Sequence, residues 1–231
     1  MIISSTAFSG NSTLKTSAID MTEFRILKAL KIDIHPPRAP TIKEVLWHPP
    51  ISNWLKVNTD GAVTKNPSKA ACGGIFRSSE GFTRGCFAQN LSTDSAFIAE
   101  IFGAVLAIEI AHNKNWNNVC LETDSMLLLL AFKNPLMIPW SLRNRWLNCM
   151  EVTKRMNFMV SHIYREGNVC ADSLANIGLN LVGFFWWEDA PSNLRQEVVK
   201  NMLGMPNYRF TTFWKGLGYI PLFFFVCYSF C

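Results

Sequence analysis

The chain has 231 residues, of which 49% are hydrophobic and only 17% charged; this excludes wholesale disorder and allows one domain of ordinary size with extensions. The formal net charge is +5, but residues 45–180 hold 12 Lys/Arg against 10 Asp/Glu, so only +2 of it lies there. A strongly basic module is excluded, and any hold on nucleic acid has to come from local patches.

Residues 1–50 read as an N-terminal extension and linker. The Ser/Thr-rich start has no charged segment followed by a long apolar run, so it makes a poor secretory signal. Its lack of acids before Asp20 gives it a faint likeness to an organelle transit peptide, although Lys15 is its one base. Residues 1–35 suggest no domain. In PPRAPTIKEVLWHPP (36–50), five prolines favour extended backbone and exclude a continuous helix.

A domain is expected over residues 51–180. Trp54–Ala62 alternates as a strand and ends at Gly61; 70–79 and 82–89 are two more strands, joined by the Ser-Ser-Glu-Gly turn at 78–81. Residues 95–113, SAFIAEIFGAVLAIEIAHN, form a long helix, apolar on most faces and therefore central and buried. A strand at 117–123, helices at 125–133 and 141–155, a strand at 157–164 and a helix at 169–179 complete the order. The fold class is α/β, a mixed five-stranded sheet flanked by helices. Residues 181–231 read as an aromatic C-terminal extension. Its last stretch, 216–231, is uncharged and rich in Phe. That stretch is shorter than the ~20 apolar residues of a spanning helix, so membrane association is not expected. The seven cysteines, at 72, 86, 120, 149, 170, 227 and 231, contain no CxxC pair. Reduced, mostly buried thiols of an intracellular protein, in nucleus or cytoplasm, are expected rather than disulfides or zinc ligands.

Four acids stand at informative places. Asp60 ends the strand VNTDGA, before a glycine that permits a bend or close approach; Asp-Gly is equally a common turn pair. Glu100 lies inside AFIAEIFGAVLAI. The helix's other acid, Glu109, is nine residues on, which at about 100° per residue puts it on the opposite side. Glu109 shares its face with His112 and Asn113 and is expected to meet water, so Glu100 points to the sheet. An unpaired buried carboxylate costs several kcal/mol, and no neighbour in sequence supplies a cation. Asp124 follows the strand NNVCLE and opens a helix, where it can cap or bind metal. Asp172 is in the first turn of NVCADSLAN, a place the helix dipole alone would favour.

Together WLKVNTDGA (54–62), GGIFRSSEG (73–81), AEIFGAVLAIEIA (99–111), VCLETDS (119–125) and HIYREGNVCADSLAN (162–176) resemble ribonuclease H type 1. The likeness is greater to the plant ribonuclease H-like domain related to non-LTR retrotransposon polyproteins. The resemblance implies that Asp60, Glu100, Asp124 and Asp172 hold two Mg²⁺ ions (or Mn²⁺) and hydrolyse the RNA strand of an RNA–DNA hybrid, leaving a 5′ phosphate and a 3′ hydroxyl. Nucleic acid is the implied partner, with no small-molecule cofactor and a monomeric chain. Asn66 matches an Asn-Pro after the first Asp. Ser95 is placed to bind a phosphate, and Arg143, Arg145, Lys154 and Arg155 to replace a missing basic protrusion. His162 precedes the short loop where relatives carry a proton-shuttling histidine, and Arg165 in that loop is placed to act electrostatically. Ala96 and Phe97 stand where relatives have asparagines that read the hybrid. The alternative reading is therefore a catalytically weak or inactive nucleic-acid-binding remnant of a retroelement.

Overall fold

The computed structural model describes residues 2–12, 20–34 and 40–211, and the uncharged stretch 216–231 lies outside them. The described residues fall into two compact units, one ending at Lys43 and taking in residues 210–211, the other running Glu44–Arg209. In the first, α1 (Ile2–Asn11) and α2 (Met21–Ala29) are helices. The Asp20 carboxylate caps α2 by accepting from the Thr22 and Glu23 amides, satisfying donors that a helix start leaves open.

The second unit is the α/β domain. After β1 (Thr41–Val45), which begins before this unit, come β2 (Leu55–Lys65), β3 (Ser68–Arg77), β4 (Thr83–Leu91), α3 (Ala96–Asn113), β5 (Asn118–Thr123), α4 (Met126–Lys133), α5 (Trp140–Thr153), β6 (Asn157–His162), α6 (Val169–Gly178), β7 (Phe184–Trp187), α7 (Arg195–Met202) and β8 (Asn207–Thr211), which ends beyond it. Each element expected between 51 and 180 is present. The sheet order is β6-β5-β2-β3-β4-β7: β5 runs parallel to β2 and to β6, while β2, β3, β4 and β7 are mutually antiparallel neighbours. The five expected strands are thus joined by a sixth, β7, drawn from the segment read as C-terminal extension. Its four consecutive aromatics pair with β4, and Trp186 reaches Phe76 at 6.2 Å between ring centroids. β1 and β8 make a separate two-stranded sheet.

Helices cover both faces of the main sheet. Asp60 pairs with Gly73, and Gly61 with Cys72, so the two glycines face opposite ways. A Cβ on Gly61 would lie 2.6 Å from the Glu100 backbone nitrogen, and one on Gly73 would lie 2.4 Å from that of Ala175. α3 and α6 therefore approach the sheet on opposite faces more closely than any side chain would allow. The larger core, with Val57, Phe76, Ile101, Ile108 and Trp146, lies under α3, α4 and α5. A smaller one, Ile75, Cys86, Leu174, Leu194 and Val198, lies under α6 and α7. Although α3 is long and apolar enough to span a membrane by composition, half of it is buried in this core.

The Pro-rich segment is more than a spacer. Val45 and Trp47 are 5% and 3% exposed, and the Trp47 indole N–H donates to the Asn58 side chain at 2.9 Å. Prolines exclude a helix there, but extended chain can still dock a side chain. Cys72, Cys86, Cys120, Cys149 and Cys170 are buried, as expected, while Cys227 and Cys231 lie outside the described residues.

Candidate active site

β2 has two faces of different character. Val57 and Thr59 point toward α3. Lys56, Asn58 and Asp60 point the other way and are nonetheless buried. This polar row ends at Asp60, which is 5% exposed and whose Oδ1 accepts the Gly61 amide at 2.7 Å. Beside it, β5 runs parallel and ends at Thr123, so Asp124 emerges at the same sheet edge, where parallel strands commonly present ligand-binding groups. Ser125, not Asp124, caps α4: its hydroxyl accepts from Leu128 N at 3.3 Å. The Asp124 carboxylate is thus not occupied as a cap. The close approach at Gly61 brings Glu100, in the second turn of α3, over the end of β2.

Asp60, Glu100 and Asp124 converge so that one oxygen from each lies within 4.8 Å of the others. Burial, then the neighbouring Asp124 charge, pushes Asp60 up to about 7. Burial, then the Asp60 and Asp124 charges, pushes Glu100 up to about 10, and a hydrogen bond to Asp60 adds to the rise. Glu100 Oε2 is fully buried and accepts no hydrogen bond. Clustered oxygens that repel one another, one of them orphaned, form the donor set a hard divalent cation accepts.

Asp172, in the first turn of α6, stands at the rim. Its charge adds to the pressure on Asp60. Arg165 Nη2 lies 3.4 Å from its Oδ1, and Asn176 Nδ2 donates to its Oδ2 at 3.2 Å. Arg165 is otherwise exposed, and the Asp172 charge raises its pKa. His162 ends β6, with Nε2 3.3 Å from the Asp124 carbonyl oxygen; burial lowers its pKa.

The remaining residues fare unequally. Ser95 is the N-cap of α3, its hydroxyl accepting from Ile98 N at 3.4 Å. Asn66 lies in the exposed turn between β2 and β3. Lys154 pairs with Glu151 at 2.6 Å, and Arg155 follows it, exposed, just beyond α5. Arg145 is not a free phosphate ligand. It grips Glu109 with two bonds of 2.8 and 2.6 Å, which also corrects the expectation that Glu109 simply meets water. The periodicity of α3 placed Glu109 opposite Glu100 but could not reveal that α5 packs there.

Sequence reasoning missed Asn168. Its side-chain N–H donates to the Asp124 carboxylate and to the Thr59 carbonyl, each at 3.0 Å. Its position four residues before Asp172 was the available signal, but nothing local distinguishes a buried asparagine from a loop one.

A mixed sheet with a parallel β2-β5-β6 half, helices on both faces and carboxylates gathered at one strand edge defines a ribonuclease H-like fold with an acidic site. The chain belongs to the reverse transcriptase-like family, whose family model matches residues 58–178. It is 32% identical over 165 residues to the Arabidopsis thaliana "Putative ribonuclease H protein", covering 68% of this chain and 26% of that one. The chain thus spans about a quarter of that relative's length. Among solved structures, the foamy viral protease-reverse transcriptase in complex with an RNA/DNA hybrid matches with a TM-score of 0.50 at 20% identity, over 69% of this chain and 26% of that one. Ribonuclease H1 from the archaeon Halobacterium salinarum matches with a TM-score of 0.49 at 24% identity, over 55% of this chain and 97% of its own.

Proposed function

We propose that this domain is an endoribonuclease that hydrolyses the RNA strand of RNA–DNA hybrids at a metal site formed by Asp60, Glu100, Asp124 and Asp172. The observation that carries the reading is the convergence of three carboxylates within 4.8 Å around a buried, unpartnered glutamate oxygen. Divalent ions, Mg²⁺ or Mn²⁺, would supply charge neutralisation, an activated water and stabilisation of the leaving 3′ oxygen. Glu100, raised by burial and by its acidic neighbours, would give up its proton when that charge is provided. Asp124 and Asp172 complete the ligand set from two further elements. His162 sets its Nε2 against the Asp124 carbonyl, which leaves Nδ1 as the ring nitrogen that would take up a proton beside the site. Arg165 offers a cation to the scissile phosphate when it leaves Asp172. The Arabidopsis relative supports a plant origin, and the family supports descent from a retroelement; the expected setting is the nucleus or cytoplasm.

Hybrid cleavage with Mg²⁺ tests the reading, with Asp60→Asn as control. Wild-type cleavage reduced at least about 10²-fold in the variant is expected, by the scale of lost charge stabilisation. Equal activity in both, or none in either, overturns it.

One observation favours the second reading, an inactive nucleic-acid-binding remnant. Phe97 packs against the core and Ala96 offers no hydrogen bond, so the start of α3 has little with which to read a hybrid. On that reading binding is salt-dependent, unchanged by Asp172→Asn, and accompanied by no cleavage.

A further inference from the structure

We propose that Asn168 is a positioning residue that fixes the orientation of the Asp124 carboxylate and ties it to the elements carrying Asp60 and Asp172. The proposal rests on the metal-site reading above. Asn168 is 1% exposed and bonds to Asp124, to the residue before Asp60 and to the Asp172 amide. Its Nδ2 donates to Asp124 Oδ1 at 3.0 Å and to the carbonyl of Thr59, the residue before Asp60, at 3.0 Å. Its own carbonyl accepts the Asp172 amide at 3.1 Å.

The polarity of these bonds is set from a distance. Trp47 Nε1 and Arg77 Nη2 can only donate, and both donate to Asn58 Oδ1, at 2.9 and 2.7 Å. The Asn58 amide is thereby oriented so that its Nδ2 faces Asn168 Oδ1, at 3.2 Å, and Glu122 Oε2, at 2.9 Å. Asn168 must then present its own N–H groups to Asp124. The far end is anchored as well. The Arg77 guanidinium carbon lies 3.6 Å from the centroid of the Trp47 ring, and Lys56 neutralises Glu122 at 2.9 Å. Every side chain in this relay is buried. In such surroundings an amide turned the wrong way would set oxygen against oxygen, so the relay holds one arrangement. Asp124 is thus presented with one oxygen held by Asn168 and the other left for a cation.

Titration calorimetry on the full chain tests the proposal, with Mg²⁺ and Ca²⁺ as separate probes. Mg²⁺ demands near-ideal octahedral geometry, whereas Ca²⁺ accepts irregular ligands. A ligand that loses its orientation should therefore harm Mg²⁺ binding more. Asn168→Ala is expected to weaken Mg²⁺ about 10- to 100-fold, the usual effect of removing a partner of a metal ligand, and Ca²⁺ clearly less. Asn168→Ser, which keeps a shorter donor, should fall between wild type and Asn168→Ala, and it carries the same comparison if the alanine variant does not fold. Unchanged Mg²⁺ affinity, or equal loss of both ions, overturns the proposal, since a merely structural role moves both or neither. If the wild type binds neither ion while remaining folded, the metal-site reading fails and takes this inference with it. If the wild type binds and the variants match it, this inference alone fails.

Discussion

Glu100 is held toward its protonated form by burial and by the Asp60 and Asp124 charges, and Asp60 by burial and by the Asp124 and Asp172 charges. Unfolded, they titrate near 4.5 and 3.8; folded, near about 10 and about 7. Between those limits the folded state binds more protons than the unfolded one, so stability falls as pH rises. Below about pH 4, where both states are protonated, the effect disappears. The metal-free protein should therefore melt at lower temperature as pH rises from 5 to 9, by about 2–4 °C for each kcal/mol lost in a domain of this size. Glu100→Gln cannot titrate and should flatten that slope, and saturating divalent cation should flatten it in the wild type. Melting curves across pH check this, and a wild-type slope matching that of Glu100→Gln would contradict it. At this scale the sequence revealed that Glu100 faces inward without a cation, because helical periodicity is local. It could not reveal Asn168, because Asp124 and Thr59 reach that residue only through the fold.

The elements bearing the acids meet because glycine lies between them. Glu100 can sit over the end of β2 only if α3 approaches within a distance no Cβ tolerates at Gly61. Gly61→Ala should cost roughly 1–3 kcal/mol, as overpacking does, and weaken divalent binding by displacing Glu100. Gly103→Ala, lower on the same helix, is the control. Its new methyl would have contacts at 3.4–3.6 Å, which are ordinary, so melting and ion titration should change little. The expectation that Gly61 permits a close approach was legible in Asp-Gly. Its partner in that approach was not, since nothing near residue 61 names residue 100.

At the scale of the whole molecule, the domain draws its ends from outside the expected 51–180 range. Trp47 stacks on Arg77 and feeds the polar row of β2, while β7 extends the sheet and α7 covers Ile75 and Leu174. A chain starting at residue 51 loses Trp47 and leaves Arg77 buried without its aromatic partner. It should be less stable by about 3–5 kcal/mol, the usual scale of deleting a buried large aromatic, whereas a chain starting at residue 44 should keep the domain's cooperative unfolding. Denaturant unfolding of the two truncated chains checks this, and equal stability would contradict it.

The sequence by itself determined the order and type of the elements from 51 to 180 and the inward face of Glu100, and it marked Asp60 and Asp124 beside it as candidates. Hydrophobic period and turn chemistry act between near neighbours and can be read along the chain. Tertiary structure alone decided what those acids touch, that Arg145 is held by Glu109, that Ser125 leaves Asp124 free of capping, and that a proline-bound tryptophan and a C-terminal strand belong to the domain. Each of these is a contact between residues far apart in sequence. Such a contact depends on which faces the packed helices and strands turn to one another, and no local pattern encodes that choice.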